Sequence, residues 1–396
     1  MTASAGRSRV AIAGYAQSPI RRHGSVPLGA LTMETCLRAI ADAGLTPADI
    51  DGLTTGSLLP SSGGQAIVDG QSIVTSSYVA EHLGIHPRFA AGFQGYGQLS
   101  GSVMLAVDAI VSGSAECVLL HRALGNPPGR YNVNPMTEAE GAAQWSAPYG
   151  FWGAPTHIAL IYQEYMQRYG AKREEMAAVV VEARRNGADI PWSYWHGRPI
   201  TVDDYMNARM IADPICVLDC DIPVEGAAAF VLTSAERARD LPHRPVYVAG
   251  FAHGHPIRPS GGFFDLDDVL DGGAVTGRRL FEHAGVSRAD VDLPELYDGF
   301  SPLLYFWLES LGYCGRGEAH QFVQDGRISS AGSLPVLSSG GALGNGRMHG
   351  VPQMLECYLQ LSGRAGPRQR AGVSVALACH AYPHLGGAVV YTAEPG

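Results

Sequence analysis

Charged side chains are scarce in this sequence. Asp, Glu, Lys and Arg make up 16% of its 396 residues, few for a chain that exposes its whole surface, so a homodimer burying part of that surface is expected. Basic clusters are missing too. With a net charge of −9 and no concentrated Lys/Arg face, a nucleic-acid partner is excluded. No run of about 18 apolar residues occurs, so no membrane span is expected. Met1 to Arg9 is small, polar and basic with no apolar stretch behind it, unlike a secretory signal, which makes a cytoplasmic location the expectation. The seven cysteines, Cys36, Cys117, Cys216, Cys220, Cys314, Cys357 and Cys379, are odd in number and scattered, which does not fit a disulfide framework. Cys216 and Cys220 form a CxxxC pair without a second pair or a His-x-x-x-His partner, so reduced, structural thiols are expected there and no metal.

What the chain does have is glycine, a large apolar fraction and a repeat. Fifty glycines and 46% hydrophobic residues suit a large core spread over more than one simple domain. Arg9-Val-Ala-Ile-Ala-Gly-Tyr-Ala16 and Pro245-Val-Tyr-Val-Ala-Gly-Phe-Ala252 both read as a buried strand with a glycine near its end. Ala43-Gly-Leu-Thr-Pro-Ala-Asp-Ile-Asp51, closing a helix that starts near Leu31, matches Ala284-Gly-Val-Ser-Arg-Ala-Asp-Val-Asp292, each with glycine at a helix C-cap. A small-residue helix ending Ile110-Val-Ser-Gly113 parallels His349 to Gly363, and the glycine-led strand Glu225 to Leu232 parallels Leu385 to Tyr391. Four matches in one order predict a duplicated α/β protein, with halves at residues 1–240 and 241–396.

Residues 124–214 have no counterpart in the second half. Helices are expected from Ala154 to Tyr169 and Arg173 to Asn186, among aromatics that include Tyr131, Trp145, Tyr149, Phe151, Trp152, Trp192, Tyr194 and Trp195. An insertion of this size covers a site or an interface as a rule. Trp192-Ser-Tyr-Trp195 is either a stacking surface for an adenine or a sterol, or a packed loop.

Two motifs carry a resemblance. Glu295-Leu-Tyr-Asp-Gly-Phe300 looks like the Glu-Leu-His-Asp-Cys-Phe motif of the sterol-carrier-protein branch of thiolases, and Ser339-Gly-Gly-Ala-Leu-Gly-Asn-Gly-Arg-Met-His-Gly350 looks like its Ser-Gly-Gly…Gly-His-Pro-x-Gly motif. The chain resembles that branch from about residue 9 to 393, which implies the thiolase fold, an α/β protein with duplicated halves in five layers, αβαβα. It departs from the branch where thiolase chemistry needs a thiolate, at the start of the first buried helix, where the helix dipole favours negative charge. That position falls at or beside Tyr96 in Phe93-Gln-Gly-Tyr-Gly-Gln-Leu-Ser100, with no cysteine within about 20 residues, and a phenol is a poor acyl carrier near neutrality. The motif histidines have changed as well, to Tyr297 and Arg347, with His349 two residues further on.

Tyr-Asp-Gly-Phe with Gly-Arg-x-His-Gly and no nucleophilic cysteine resembles the lipid-transfer-protein aldolases that trim steroid side chains. The resemblance implies retro-aldol cleavage of a β-hydroxyacyl-CoA to a ketone or aldehyde and a short acyl-CoA. It also implies an accessory protein with an OB fold and a zinc ribbon, and no cofactor beyond the coenzyme A thioester itself. Such a reaction needs a base for the hydroxyl, donors for an enolate oxygen and an acid for the carbon. The catalytic candidates are Tyr297, His349, His380 and Tyr382, with Tyr96, Arg347, Asp298 and Cys379 as substrate-binding candidates. Tyr297 handles the substrate proton if a nearby cation lowers its pKa, with His349 as that partner or as the enolate donor. A core tyrosine and a packed histidine are the bland alternatives. His253, in His253-Gly-His-Pro256, is set aside because it follows a repeat-opening strand. Two competing functions stand beside the lyase: an acyltransferase using Cys379, and a non-catalytic lipid or acyl-CoA-binding subunit.

Overall fold

Each half of the chain opens on a buried strand with a helix packed onto it at the closest approach a backbone allows. The computed structural model describes residues 8–56, 74–93, 95–125, 144–151, 153–258 and 264–395; Tyr131, Trp152 and the first seven residues lie outside them. The first half runs β1 (Val10–Gln17), α1 (Leu28–Asp42), β2 (Gly52–Gly56), α2 (Ser76–Leu83), β3 (Phe89–Phe93), α3 (Gln98–Val111) and β4 (Cys117–Leu124). The inserted segment holds α4 (Ala154–Tyr169), α5 (Arg173–Ala188), α6 (Val202–Met206) and a hairpin of β5 (Met210–Ala212) and β6 (Ile215–Cys216). Then come β7 (Gly226–Ser234) and the short α7 (Ala235–Ala238). The second half runs β8 (Val246–His253), α8 (Leu266–Ala284), β9 (Leu293–Glu295), α9 (Pro302–Ser310), α10 (Ala319–Phe322), α11 (Gly341–Asn345), α12 (Val351–Ser362), β10 (Val375–His380) and β11 (Gly387–Thr392).

The duplication appears as a palindrome. Among the described residues the large sheet has the order β3, β2, β4, β7, β1, β8, β11, β10, β9. Read outward from the β1–β8 contact, β7 answers β11, β4 answers β10 and β2 answers β9, with β3 an extra edge strand. The contact itself is a short antiparallel pairing, Ala11 with Tyr247 and Ile12 with Val246. Gly44 and Gly285 end α1 and α8 in the left-handed conformation, at φ +72° and +67°, and each is followed by a 3-10 turn. All four sequence matches therefore fall on equivalent elements.

Strand alternation sorts the core into layers. Ala11, Cys117, Leu119 and Val231 face α1 and α2 in one apolar cluster. Their neighbours Ile12, Val118, Leu120 and Phe230, with Ala376, Ala378 and Val389 from the second half, face α3 and α12 in another. Leu377, Cys379, Ala388 and Val390 face α8, α9 and the inserted α4 and α5. The five-layer arrangement follows, with α3 and α12 as its central layer. Every residue of α12 from Val351 to Leu361 is buried, each large apolar side chain there contributing roughly 1.5–3 kcal/mol. Among its polar residues, Glu356 pairs with Arg368 at 2.8 Å and Gln353 Nε2 donates to Asp298 at 3.0 Å, while Gln353 Oε1 is left without a partner.

Some boundaries differ from those read in the sequence. The helix expected from His349 starts only at Val351, because His349 and Gly350 both take positive φ, +48° and +93°. In the insertion, Trp192-Ser-Tyr-Trp195 is covered by guanidinium groups: Arg184 lies 3.6 Å over Trp195, Arg198 4.6 Å over Tyr194 and Arg368 5.8 Å over Trp192. The packed-loop alternative describes these rings. Among the described residues no helix is long and apolar enough to cross a membrane.

The repeat also sets a stability prediction. A Cβ on Gly14 would lie 2.6 Å from the Ala43 nitrogen, and one on Gly250 would lie 2.5 Å from the Ala284 nitrogen. Gly14→Ala and Gly250→Ala are each expected to cost about 1–3 kcal/mol through overpacking, read as matching drops in the urea unfolding midpoint.

Candidate active site

The central helices begin next to one another, against the turn that joins β10 to β11. Both are preceded by a left-handed glycine, Gly97 before α3 and Gly350 before α12. A Cβ on Gly97 would lie 2.8 Å from the Gly387 nitrogen, and one on Gly350 only 2.1 Å from His380 Cδ2. Only glycine lets either helix start approach the turn this closely. His349 has a side chain and still holds φ +48°, a conformation that costs roughly 1–3 kcal/mol outside glycine and persists where the surroundings enforce it.

Two guanidinium groups enclose His349. Arg122 Nη2 lies 2.7 Å from its Nδ1, and the Nε–H of Arg347 is aimed at its Nε2 from 2.7 Å. Arg122 comes from β4, where Val118, Leu120 and Leu124 share its face toward the central layer. It has no exposed surface, donates from Nη1 to the Gly56 carbonyl at 3.0 Å, and leaves Nε without a partner. Burial, with Arg347 and Arg122 adding to it, holds His349 well below the ordinary histidine range, so it is neutral. Arg122 was not among the sequence candidates. The available signal was an arginine inside an otherwise apolar, buried strand.

Tyr297 faces the same two cations. Burial is the largest influence and raises its phenol well above the usual value, Asp221 adds to the rise, and Arg347 and Arg122 oppose it without prevailing. The lowered pKa that the sequence reading required is therefore not found, and Tyr297 stands as a neutral phenol able to donate its proton. Asp298, next in the chain, is turned away from any ligand. Its carboxylate accepts from the Ala342 and Leu343 N–H groups at 2.6 and 3.1 Å and from Gln353 Nε2 at 3.0 Å, and burial pushes it up to about 7. Glu295 likewise accepts from the Ser339 hydroxyl at 2.6 Å. The acidic residues of the Glu-Leu-Tyr-Asp-Gly-Phe segment thus clamp the Ser-Gly-Gly segment in place, which makes Asp298 structural in its contacts and not a substrate ligand.

His380 and Cys379 are separated by strand alternation. Cys379 points into the apolar cluster under α8 and α9, fully buried, with burial raising its thiol well above the usual range. That geometry removes it both as a substrate contact and as a nucleophile. His380 points the other way, against Gly350; neither ring nitrogen makes a hydrogen bond of good geometry, and burial brings it down to about 3.

The remaining candidates gather at the start of α3. Tyr96 stands there half-exposed, with its ring edge-on to Tyr382 at 6.0 Å. His253, set aside on sequence grounds, reaches this place as well, because β8 ends beside β11: its Nε2 lies 2.8 Å from the Tyr96 carbonyl. His384 packs among Phe264 and Tyr382, with ring centroids at 4.5 and 5.9 Å. A cavity of about 630 Å³ adjoins the site from the insertion side, lined by Arg22, Arg184, Trp195, Arg209, Asp221 and Leu343. Its floor is tied to the site, since the Asp221 N–H donates to the Gly299 carbonyl and the Arg347 N–H to the Ile222 carbonyl, at 3.1 and 2.9 Å. Among the described residues no group of three His, Cys, Asp or Glu side chains is placed to hold a metal.

Residues 265–389 match the family model described as "Thiolase C-terminal domain-like". The chain is 36% identical over 351 residues to the 17-hydroxy-3-oxo-4-pregnene-20-carboxyl-CoA lyase of Mycobacterium tuberculosis, covering 84% of this chain and 86% of that one. It is 34% identical to the steroid side-chain-cleaving aldolase of Thermomonospora curvata, covering 89% and 90% of the two. This chain belongs to the thiolase superfamily, among its steroid side-chain-cleaving aldolases. A solved structure, the Ltp2–ChsH2(DUF35) aldolase, superimposes with a TM-score of 0.85 at 30% identity, covering 98% of each chain.

Membership in the aldolase branch agrees with a helix start that carries Tyr96 in place of a thiol. The buried histidines of this aldolase-branch fold also set its acid stability. His380, His384 and His121 are held neutral by burial, at about 3, 4 and 4, while unfolded histidine titrates near 6.5. Because their folded pKa values are depressed, their contribution is present above about pH 6.5 and is lost as pH falls toward 4. The urea midpoint is expected to fall across that window, and less steeply in His384→Phe.

Proposed function

We propose that this protein cleaves a carbon–carbon bond in a β-hydroxyacyl-CoA by a retro-aldol reaction, releasing a ketone or aldehyde and a shorter acyl-CoA. The observation that carries the reading is the Arg122–His349–Arg347 group beside the neutral phenol of Tyr297, at a site where the start of α3 holds a tyrosine and no thiol. A base removes the β-hydroxyl proton, the bond between the α- and β-carbons breaks, and its electron pair moves onto the thioester as an enolate. A proton then returns to the α-carbon. In this site Arg347 and His349 face the thioester oxygen, where developing charge is greatest. Tyr297 supplies a proton, and His380 and Tyr382 are the further acid–base groups. The arginine-lined cavity suits the phosphates of coenzyme A, because guanidinium groups bind phosphate through paired hydrogen bonds.

The relatives' names support a steroid acyl group as substrate. The solved Ltp2–ChsH2(DUF35) aldolase supports a partner subunit; an OB fold and a zinc ribbon in that partner are what the motif resemblance implies, and a homodimer of this chain is what its low charged fraction suggests. The acyltransferase alternative has no thiol to use, since Cys379 is buried on the face opposite His380. A binding-only subunit has no use for a histidine held at positive φ between two arginines.

Two measurements test this. Tyr297→Phe is expected to lower acyl-CoA cleavage by about 10²–10⁴-fold while leaving the thermal midpoint near that of the parent; unchanged turnover would remove Tyr297 from the mechanism. Intact mass after incubation with an acyl-CoA is expected to show no adduct, and a stable acyl group on Cys379 would sink the lyase reading.

A further inference from the structure

Resting on the retro-aldol reading for its chemistry, we infer that Arg122 is a positioning residue: it donates to His349 Nδ1, fixes the ring proton on Nε2, and so makes Nε2–H a donor for the enolate oxygen beside Arg347.

A neutral imidazole has one N–H and one bare nitrogen, yet both nitrogens of His349 meet a guanidinium nitrogen at 2.7 Å. One approach is therefore a hydrogen bond from arginine, and the other sets two donors against each other. Burial decides between them. Arg122 has no exposed surface, no carboxylate within hydrogen-bond distance among the described residues, and an Nε already without a partner. Denying it the Nδ1 acceptor would leave a second donor of a fully buried cation unsatisfied. Arg347, 7% exposed, and the partly exposed His349 keep some accessible surface, which Arg122 lacks. There, the Arg347 Nε–H is aimed at Nε2 itself, so with a proton on Nε2 the two donors oppose each other across 2.7 Å, and an oxygen carrying negative charge that accepts from both relieves the conflict as they part. The hydrogen bond at one ring nitrogen sets the state of the other, as in many histidine sites, but here the partner is a cation, which also opposes protonation of the ring.

The groups facing His349 come from several elements. Arg122 is on β4, Arg347 lies in the turn before α12, Tyr297 follows β9 with Asp221 and Asp298 near its phenol, and His380 at the end of β10 packs on Gly350. Removing Arg122 takes away one of the two cations that oppose a charge on His349.

The test is the ¹⁵N spectrum of the full chain labelled at its 14 histidines, with His349 assigned from its disappearance in His349→Gln. The parent is expected to show His349 protonated at Nε2, bare at Nδ1 and still neutral below the pH at which an ordinary histidine takes up its proton. In Arg122→Met the single tautomer is lost and His349 takes up its proton at a higher pH than in the parent, while turnover falls about 10²-fold. Arg122→Lys keeps the cation and is expected to keep His349 neutral over the same range. An Nδ1-protonated His349 in the parent overturns the assignment, as does an unchanged tautomer and titration in Arg122→Met. If Arg122→Met does not fold, the parent spectrum and the Lys variant decide. Absence of acyl-CoA cleavage in the parent overturns the lyase reading alone, because the spectrum reports the tautomer without any substrate.

Discussion

Burial of the two central helices, complete for α12 and confined to the first turns and inner face of α3, is the constraint on which this structure depends. A helix enclosed by sheets on both sides cannot leave its first N–H groups to water. The starts of α3 and α12 have to be met by something, and here both are brought to one turn, between β10 and β11. Gly97 and Gly350 make that approach sterically possible, and it places residues from distant parts of the chain at one point. Tyr96, Arg122, Tyr297, Arg347, His349, His380 and Tyr382 would otherwise share nothing but a sequence. The site is a consequence of how the central layer is closed.

Dryness then determines the chemistry. With little water present, Tyr297 stays a phenol although two arginines face it, and His349 and His380 stay neutral. The same conditions make Arg122 an unusual residue, since a buried guanidinium with only a carbonyl and an imidazole for partners is held in place by the surrounding packing. Carboxylates that might have neutralised it are committed elsewhere: Asp298 and Glu295 clamp the turn carrying Ser339 to Leu343. The neighbouring motifs therefore divide the work, their acidic residues fixing the backbone and their arginine, histidine and tyrosine facing the site.

Much of the architecture was legible in the chain, because it is written in local patterns. Strand alternation in Val10–Gln17 and Val246–His253, the glycines that end α1 and α8, and the small-residue central helices each show up within a dozen residues. Repeating them in order predicts the palindromic sheet. The substitution at Tyr96 could also be placed by counting back from the helix behind it. The site was only partly legible. Asp298 and Cys379 looked like ligands because they adjoin reactive residues in sequence, yet neighbours on a strand or a tight turn point in opposite directions. His253 looked irrelevant because it follows a repeat-opening strand, but antiparallel pairing of β8 with β11 brings it to Tyr96. Arg122 sits in a strand more than 200 residues before His349, with no motif around it.

The sequence by itself determined the duplicated α/β fold, through periodicity and repeated short segments, and the residue types left to do chemistry, while the loss of a thiol at the first central helix followed from the resemblance to thiolases. Only the tertiary structure decided which of those residues meet, which are neutral, and that two arginines share one histidine. Contact across distant strands and the removal of water are properties of the packed molecule, and they arise only when the two halves close around α3 and α12.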